Sequence, residues 1–206
     1  MKICFLDNSP IPYTANDLNS KLIRGGESAI IHLSNELSKL GNEVKVFNNN
    51  KNDCIIDNVK WFNLSNTHKN LVYDVAFTNN DIRLFDTIIA KKYVAFSHSI
   101  QTIEKFIRKG QLLSYLKYKP KIVILGNYHS KNRNYLLKLF GTINLEWAVD
   151  PLFLKTELNE NLIENRALFT SRRDRNLDIL IELWKKDIFP KNNSVKLYTT
   201  PSELID

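Results

Sequence analysis

The sequence predicts an α/β protein: a Rossmann-like, mostly parallel sheet with helices on both faces, followed by the start of a second, incomplete Rossmann-like unit. Short apolar runs, typical of buried strands, alternate with segments whose apolar residues recur every three or four positions, as on one face of a helix. This alternation favours a parallel sheet, because each helix returns the chain to the edge where the next strand starts.

The first strand and the first helix have the clearest patterns. The apolar run 3–6 predicts a buried strand. A helix is predicted to begin at the pair Gly25-Gly26 and to end before Gly41, a typical C-cap. Its apolar residues share one face: Ala29, Ile30, Leu33, Leu37 and Leu40. The segment before this helix, 8–21, contains two prolines and is predicted to be a mobile active-site loop.

The rest of the first half continues the alternation. Further strands are predicted at 43–47, 59–62, 74–78, 92–98 and 121–125. Helices are predicted at 81–90, capped by Asp81, at 102–118, interrupted by Gly110, and at 131–140, which is rich in basic residues. Ligands of open parallel sheets bind at the carboxyl ends of the strands. We therefore expect one rim to hold Gly25, Gly26, Asn79, His98 and Asn127.

The Gly-Gly pair allows two interpretations. Residues without a Cβ let an anionic ligand approach the backbone, and a helix N-terminus offers free N–H groups and the positive end of the helix dipole. Alternatively, Gly25-Gly26 is only a tight turn before a surface helix, since short glycine motifs recur in many unrelated proteins.

The positive charge of the chain is concentrated in one segment. The net charge is +7, and residues 83–138 hold 12 Lys and Arg against 2 Asp and Glu. Such a block predicts an anionic partner, namely a membrane surface, a phosphorylated substrate or nucleic acid, unless it is simply a solvated face. The apolar run at the start is too short for a signal peptide, and Cys4 and Cys54 have no metal or redox spacing. A reducing, cytoplasmic location is expected.

A change of composition near Pro151 predicts two domains, 1–150 and 151–206. The second begins with an acidic, polar stretch and continues with a strand at 167–170, a helix from 176 and a strand at 195–199. One βαβ unit cannot bury its own helix stripe and both faces of its strands.

The motifs, taken in order, resemble the retaining, nucleotide-sugar-dependent glycosyltransferases of the GT-B type, which have two Rossmann-like domains. Gly25-Gly26-Glu27 resembles the Gly-Gly motif of that family, and GNEVKV at 41–46 resembles the helix end and strand that follow it. VAFSHS at 94–99 is similar to a family strand that ends in His. Val149-Asp150-Pro151 resembles the hinge, and TSRRDRNL at 170–177 resembles the opening of the second domain.

The resemblance implies roles for particular residues. Gly25, Gly26 and Glu27 would bind substrate or phosphate from the first domain, and His98 would contact the sugar at the reacting face. Arg172 and Arg175 would neutralise the departing diphosphate, because a planar guanidinium matches phosphate oxygens. Without the resemblance, the arginines are interpreted equally well as part of a solvated turn or of a nucleic-acid patch. His98 is then interpreted as a hydrogen-bonded histidine of the core. No Asp-x-Asp pair occurs, so no metal or other cofactor is expected besides the nucleotide-sugar donor.

The function implied by the resemblance is transfer of a sugar from a nucleotide sugar to a glycan or lipid-linked acceptor. The basic, amphipathic stretch 102–119 would rest on the anionic inner face of a membrane. The acidic E-x7-E motif of the family is absent, which makes the donor-side domain incomplete. The alternative is a non-catalytic nucleotide- or glycan-binding fragment that needs a partner chain. Nucleic-acid binding ranks last, because no reading motif is recognisable.

Overall fold

The computed structural model describes residues 1–18, 23–67, 69–146, 148, 154, 165–171 and 175–199. By its internal contacts the chain divides into two compact units, Met1–Ala148 and Val149–Asp206. Each unit is described by itself.

The first unit is built on an eight-stranded sheet. Its strands are β1 (Lys2–Asp7), β2 (Glu43–Asn48), β3 (Cys54–Ile56), β4 (Val59–Asn63), β5 (Val72–Asn79), β6 (Ile89–Phe96), β7 (Lys121–Ile124) and β8 (Thr142–Asn144). They lie in the order β3-β4-β2-β1-β5-β6-β7-β8, and every neighbouring pair is parallel except β3 with β4. This mostly parallel sheet confirms the predicted α/β, Rossmann-like class.

Helical elements cover both faces of the sheet. The α-helices of this unit are α1 (Gly25–Lys39), α2 (Ile103–Arg108), α3 (Leu112–Tyr118) and α4 (Asn127–Asn132). Short 3₁₀ turns occupy Ala15–Asp17, Leu64–Asn66, Ile82–Thr87 and Tyr135–Lys138. Thr102 caps α2 by accepting the N–H of Lys105, and Gly110 separates α2 from α3 with a φ of +64°. The predicted interruption at Gly110 is therefore confirmed.

The alternation along β1 shows how the two faces are filled. Ile3 and Phe5 pack with Ile30 and Ile31 of α1 in one buried cluster. Cys4 and Leu6 point to the other face, in a cluster that also contains Phe85, Phe106, Tyr115 and Leu137. Because both faces of the sheet are covered, the sequence of β1 is a continuous apolar run and does not alternate between apolar and polar residues.

Three local predictions were wrong. The helix expected at 81–90 is a 3₁₀ turn that ends at Thr87, because β6 already pairs with β5 from Ile89. The basic helix expected at 131–140 ends at Asn132, and the side chain of Asn134 caps a new 3₁₀ turn by accepting the N–H of Leu136. Strand β3 was missed altogether. It joins β4 through Asp57 and Asn58, both at positive φ, as in a tight two-residue hairpin.

The second unit contains the predicted βαβ arrangement. Strands β9 (Arg166–Phe169) and β10 (Lys196–Thr199) are parallel, and the helix between them is α5 (Leu177–Leu183), continued by a π turn at Trp184–Ile188. Several of its large apolar side chains remain exposed, among them Leu168, Ile179 and Phe189. Among the described residues of the whole chain, no helix has the length and apolar character needed to cross a bilayer.

A pair of glycine substitutions tests how α1 begins and ends. Gly41 has a φ of +81° and Gly25 has no positive φ, yet neither position has an atom within 4 Å of an added Cβ. We expect Gly41→Ala to cost roughly 1 kcal/mol of unfolding free energy, because only the backbone conformation opposes it. Gly25→Ala is expected to be neutral or to stabilise by up to about 1 kcal/mol. Urea unfolding measures both, and equal effects would contradict this account.

Candidate functional site

The centre of the sheet contains the crevice where ligands of this fold class bind. From β1 the chain passes through α1 to β2 on one side, whereas β5 lies on the other side of β1. Ligands bind where the strand order reverses in this way, beyond the carboxyl ends of the strands. There Asp7 ends β1 directly beside Asn79, which ends β5, and their exposed fractions are only 2% and 4%.

Asp7 is buried but well supplied with hydrogen-bond donors. Its Oδ2 accepts the hydroxyl of Tyr13 at 2.8 Å. Its Oδ1 accepts the backbone N–H of Ser9 at 3.2 Å and Nδ2 of Asn79 at 3.3 Å. Burial raises the pKa of Asp7 above its ordinary value, and the nearby charge of Glu27 adds to this, while the three hydrogen bonds oppose it.

Glu27 brings a second carboxylate to the same place. It is 5% exposed, and its Oε1 accepts the hydroxyl of Ser9 at 2.5 Å. Ser9 therefore bridges the two acids, with its N–H on Asp7 and its hydroxyl on Glu27. Glu27 also lies in the first turn of α1, where a negative charge is stabilised by the helix dipole.

His98 is half-buried and approaches the first turn of α1 closely. A Cβ on Gly26 would lie 3.1 Å from Nε2 of His98 and 3.2 Å from Nδ2 of Asn79. The absence of a side chain at Gly26 is thus what lets both residues reach the helix. Burial lowers the pKa of His98, the charge of Glu27 opposes this, and the charge of His129 lowers the pKa further. We call the group Asp7, Ser9, Tyr13, Gly26, Glu27, Asn79 and His98 the rim site.

The loop after β1 is anchored rather than loose over its described part, 8–18. Tyr13 is 1% exposed and packs edge-on against Trp61, with ring centroids 6.0 Å apart. Side chains at the end of β2 hold the backbone: Asn48 donates to the carbonyl of Tyr13, and Asn49 to that of Ser9, each at 2.7 Å. These contacts hold the described part of the loop against the sheet, and the mobility expected for 8–21 stays a prediction.

The chemistry available at the rim site follows from these charges. Two buried carboxylates make the crevice negative, which disfavours a polyanion and favours ligands that donate hydrogen bonds, such as sugar hydroxyls. A neutral imidazole can accept a proton or a hydrogen bond from a hydroxyl, and lowering its pKa keeps it neutral near pH 7. Among the described residues, no group of three or more His, Cys, Asp or Glu side chains is placed to hold a metal ion.

The predicted site residues divide between the two units. Gly26, Glu27 and His98 come together at the rim site, as described above. Gly25 is the first residue of α1, exposed and without a neighbour for an added Cβ, so the pair is part of the helix and not a turn before it. Asn127 is exposed at the start of α4, three residues after the end of β7. Arg175 is exposed in a turn of the second unit, and Arg172 and the 149–151 hinge lie outside the described residues.

Sequence reasoning missed Asp7, Ser9 and Tyr13. One signal was present for Asp7, since a carboxylate that ends a buried strand lies at the ligand-binding edge by topology alone. No comparable signal existed for Tyr13, because the segment around it has no periodicity that would assign it to the core.

Comparisons with known proteins add nothing to this description. A scan against protein-family models, a search of curated proteins and a search of solved structures each found no match to this chain.

The raised pKa of Asp7 predicts a measurable pH dependence. An acid with a higher pKa in the folded state favours folding fully below its unfolded pKa of about 3.9, and this contribution is lost as the pH rises through the folded pKa. Relative to Asp7→Asn, the unfolding free energy of the wild type should therefore fall as the pH rises from about 4, by at most about 1.4 kcal/mol per unit.

Asp74→Asn provides a contrast of opposite sign. Hydrogen bonds from Lys91 and from the backbone of Lys2 lower the pKa of Asp74, so its contribution is present at neutral pH and lost as the pH falls. Urea unfolding at several pH values compares the three proteins. Parallel curves for the wild type and Asp7→Asn would contradict the interpretation of Asp7.

Proposed function

We propose that this chain is the acceptor-side portion of a retaining, nucleotide-sugar-dependent glycosyltransferase, and that the rim site receives a hydroxyl of a glycan or lipid-linked acceptor. One observation carries the proposal: two buried carboxylates, bridged by Ser9, lie with His98 at the first turn of α1, where the strand order reverses.

The proposed roles follow from the contacts. Glu27 accepts a hydrogen bond from an acceptor hydroxyl, in competition with the hydroxyl of Ser9. His98 orients the sugar through its half-buried ring, which packs edge-on against Phe96 with centroids 4.8 Å apart. Asp7 does not touch the ligand in this proposal. It positions Ser9 and Asn79, and through them Glu27 and His98.

We assign binding of the nucleotide-sugar donor to other groups, because Asp7 and Glu27 would repel its diphosphate. Transfer from a nucleotide sugar builds negative charge on the leaving diphosphate, which fixed cations and N–H groups must stabilise. This task falls to Arg172 and Arg175 of the second unit, because a planar guanidinium matches phosphate oxygens.

We further propose that the protein works in the cytoplasm, at the inner face of a membrane. Three apolar side chains of the α2–α3 region are strongly exposed: Ile107 by 59%, Leu113 by 80% and Leu116 by 49%. The exposed cations of the same stretch include Arg108, Lys109 and Lys119. Apolar side chains flanked by cations are what an anionic lipid surface binds. We call these six residues the α2–α3 surface.

Two glycine variants test the rim site. An Ala side chain at Gly26 would meet His98 and Asn79 and displace them, whereas one at Gly25 meets nothing. We expect Gly26→Ala to weaken binding of mono- and oligosaccharide acceptors at least tenfold and Gly25→Ala to leave it unchanged. Calorimetry or saturation-transfer NMR on the purified chain measures this. Equal binding by both variants would argue against acceptor recognition at the rim site.

Binding of UDP, GDP and ADP by the same chain tests the donor side, with Arg172→Ala and Arg175→Ala as variants. Loss of nucleotide binding in these variants supports the assignment of the diphosphate. Nucleotide and glycan binding without any transfer from nucleotide sugars would favour the alternative, a binding fragment that acts with a partner chain.

Liposome co-sedimentation tests the α2–α3 surface. Vesicles that contain anionic lipid should retain the wild type at low salt and release it as salt rises. Replacing Arg108 and Lys109 with Glu should abolish retention. Replacing Lys185 and Lys186, two exposed cations of the second unit, makes the same change in net charge and should not. Equal loss in both double variants would show that only net charge matters.

A further inference from the structure

A buried arginine lies where the sheet opens between β6 and β7. These strands pair at only two positions, Val94 with Lys121 and Ala95 with Ile122. Just beyond them, Nη1 of Arg133 donates to the carbonyl of Val123 at 3.0 Å. Arg133 is only 4% exposed, so its guanidinium is inserted at this opening rather than extended into solvent.

One side of that guanidinium has no partner among the described residues. There, Nε and Nη2 of Arg133 are both buried and make no hydrogen bond. These two nitrogens form the side of the planar group that pairs with two oxygens of a carboxylate or phosphate at once. Burial lowers the pKa of Arg133, yet a guanidinium stays protonated in proteins, so the group is a buried cation with two unmet donors. Burying such a cation lowers the stability of the folded protein unless an anion pairs with it.

The surrounding sequence supplies no anion. Residues 119–145 contain five Lys and Arg and no Asp or Glu. The two acids of the wider 83–138 segment are Asp86 and Glu104. Asp86 already accepts hydrogen bonds from Lys117 and Tyr118 at 2.6 Å, and Glu104 is exposed on α2.

A second unmet polar atom lies on the short helix α4, which ends just before Arg133. Nδ1 of His129 is buried and has no hydrogen-bond partner among the described residues. The backbone N–H of Arg133 donates to the carbonyl of His129, so the two residues are one helical turn apart. Burial lowers the pKa of His129, and the charge of Arg133 lowers it further.

We propose that Arg133 and His129 form a binding site for an oxyanion, a phosphate or carboxylate group, which pairs side-on with Nε and Nη2 of the guanidinium. The site does not depend on sugar transfer. It lies beside β6, the strand that leads into His98 of the rim site. A ligand with hydroxyls at the rim site and an acidic group at Arg133 would span both.

The anion reaches Arg133 by displacing α4. This helix has only six residues, and most of its side chains are exposed. A single helix of that length has little stability of its own. Binding is therefore expected to shift the backbone amide signals of Asn127–Asn132 as well as the Nε–H signal of Arg133.

The experiment uses the whole chain with inorganic phosphate and with acetate as probes, at ionic strength held constant with chloride. Phosphate or acetate should move the Arg133 Nε–H signal in NMR spectra and raise the melting temperature with concentration, because a ligand of the folded state stabilises it. Arg133→Met should weaken the effect at least about tenfold, the contribution of one charge-assisted pair. Lys185→Met, at an exposed cation of the second unit, should leave it unchanged.

His129→Phe serves as a second variant, since it keeps Arg133 and its bond to Val123 and remains informative if Arg133→Met does not fold. It should weaken anion binding too. A stronger response to phosphate than to acetate identifies a phosphate-bearing ligand, and the reverse a carboxylate. The proposal is overturned if neither anion moves the Nε–H signal in the folded wild type, or if His129→Phe and Lys185→Met respond alike.

Discussion

The burial of Asp7 is the constraint on which the rest of the first unit depends. A carboxylate in the centre of a parallel sheet must be surrounded by donors, because an unpaired buried charge would cost several kcal/mol. The donors come from two places in the chain: the loop after β1, through Ser9 and Tyr13, and the end of β5, through Asn79. The hydrogen bonds that Asp7 accepts therefore hold the loop against the sheet and connect β1 to β5 at their carboxyl ends.

The same requirement builds the rim site. Once Ser9 is held by Asp7, its hydroxyl reaches Glu27, and the first turn of α1 is placed against Asn79 and His98. The close approach at Gly26 admits no larger residue without displacement of His98. A pair of carboxylates in a buried crevice is unfavourable for stability, since burial removes both groups from water. Clusters of this kind are typical of sites that bind or react, where stability is lost in favour of a prepared geometry.

The charges of the first unit are separated in space along the rim. The β1–β5 crevice carries buried carboxylates, whereas the opening between β6 and β7 carries a buried guanidinium with two unmet donors. The two regions therefore suit opposite parts of a ligand, hydroxyls at one and an oxyanion at the other. The α2–α3 surface adds exposed cations and apolar side chains, so the excess positive charge of residues 83–138 is divided between a buried and an exposed location.

The sequence by itself determined the class of fold and most of the order of elements, because strand and helix periodicities are local and both faces of the sheet require apolar residues. It also placed Gly26, Asn79 and His98 at one edge, since the carboxyl ends of parallel strands share that edge by topology. Only the tertiary structure decided which polar groups meet there. Tyr13 reaches Asp7 from six residues away, and Asn79 from 72, through contacts that no local pattern encodes. Arg133 looked like one of many surface cations, and only the way α4 ends and packs against β7 buries it.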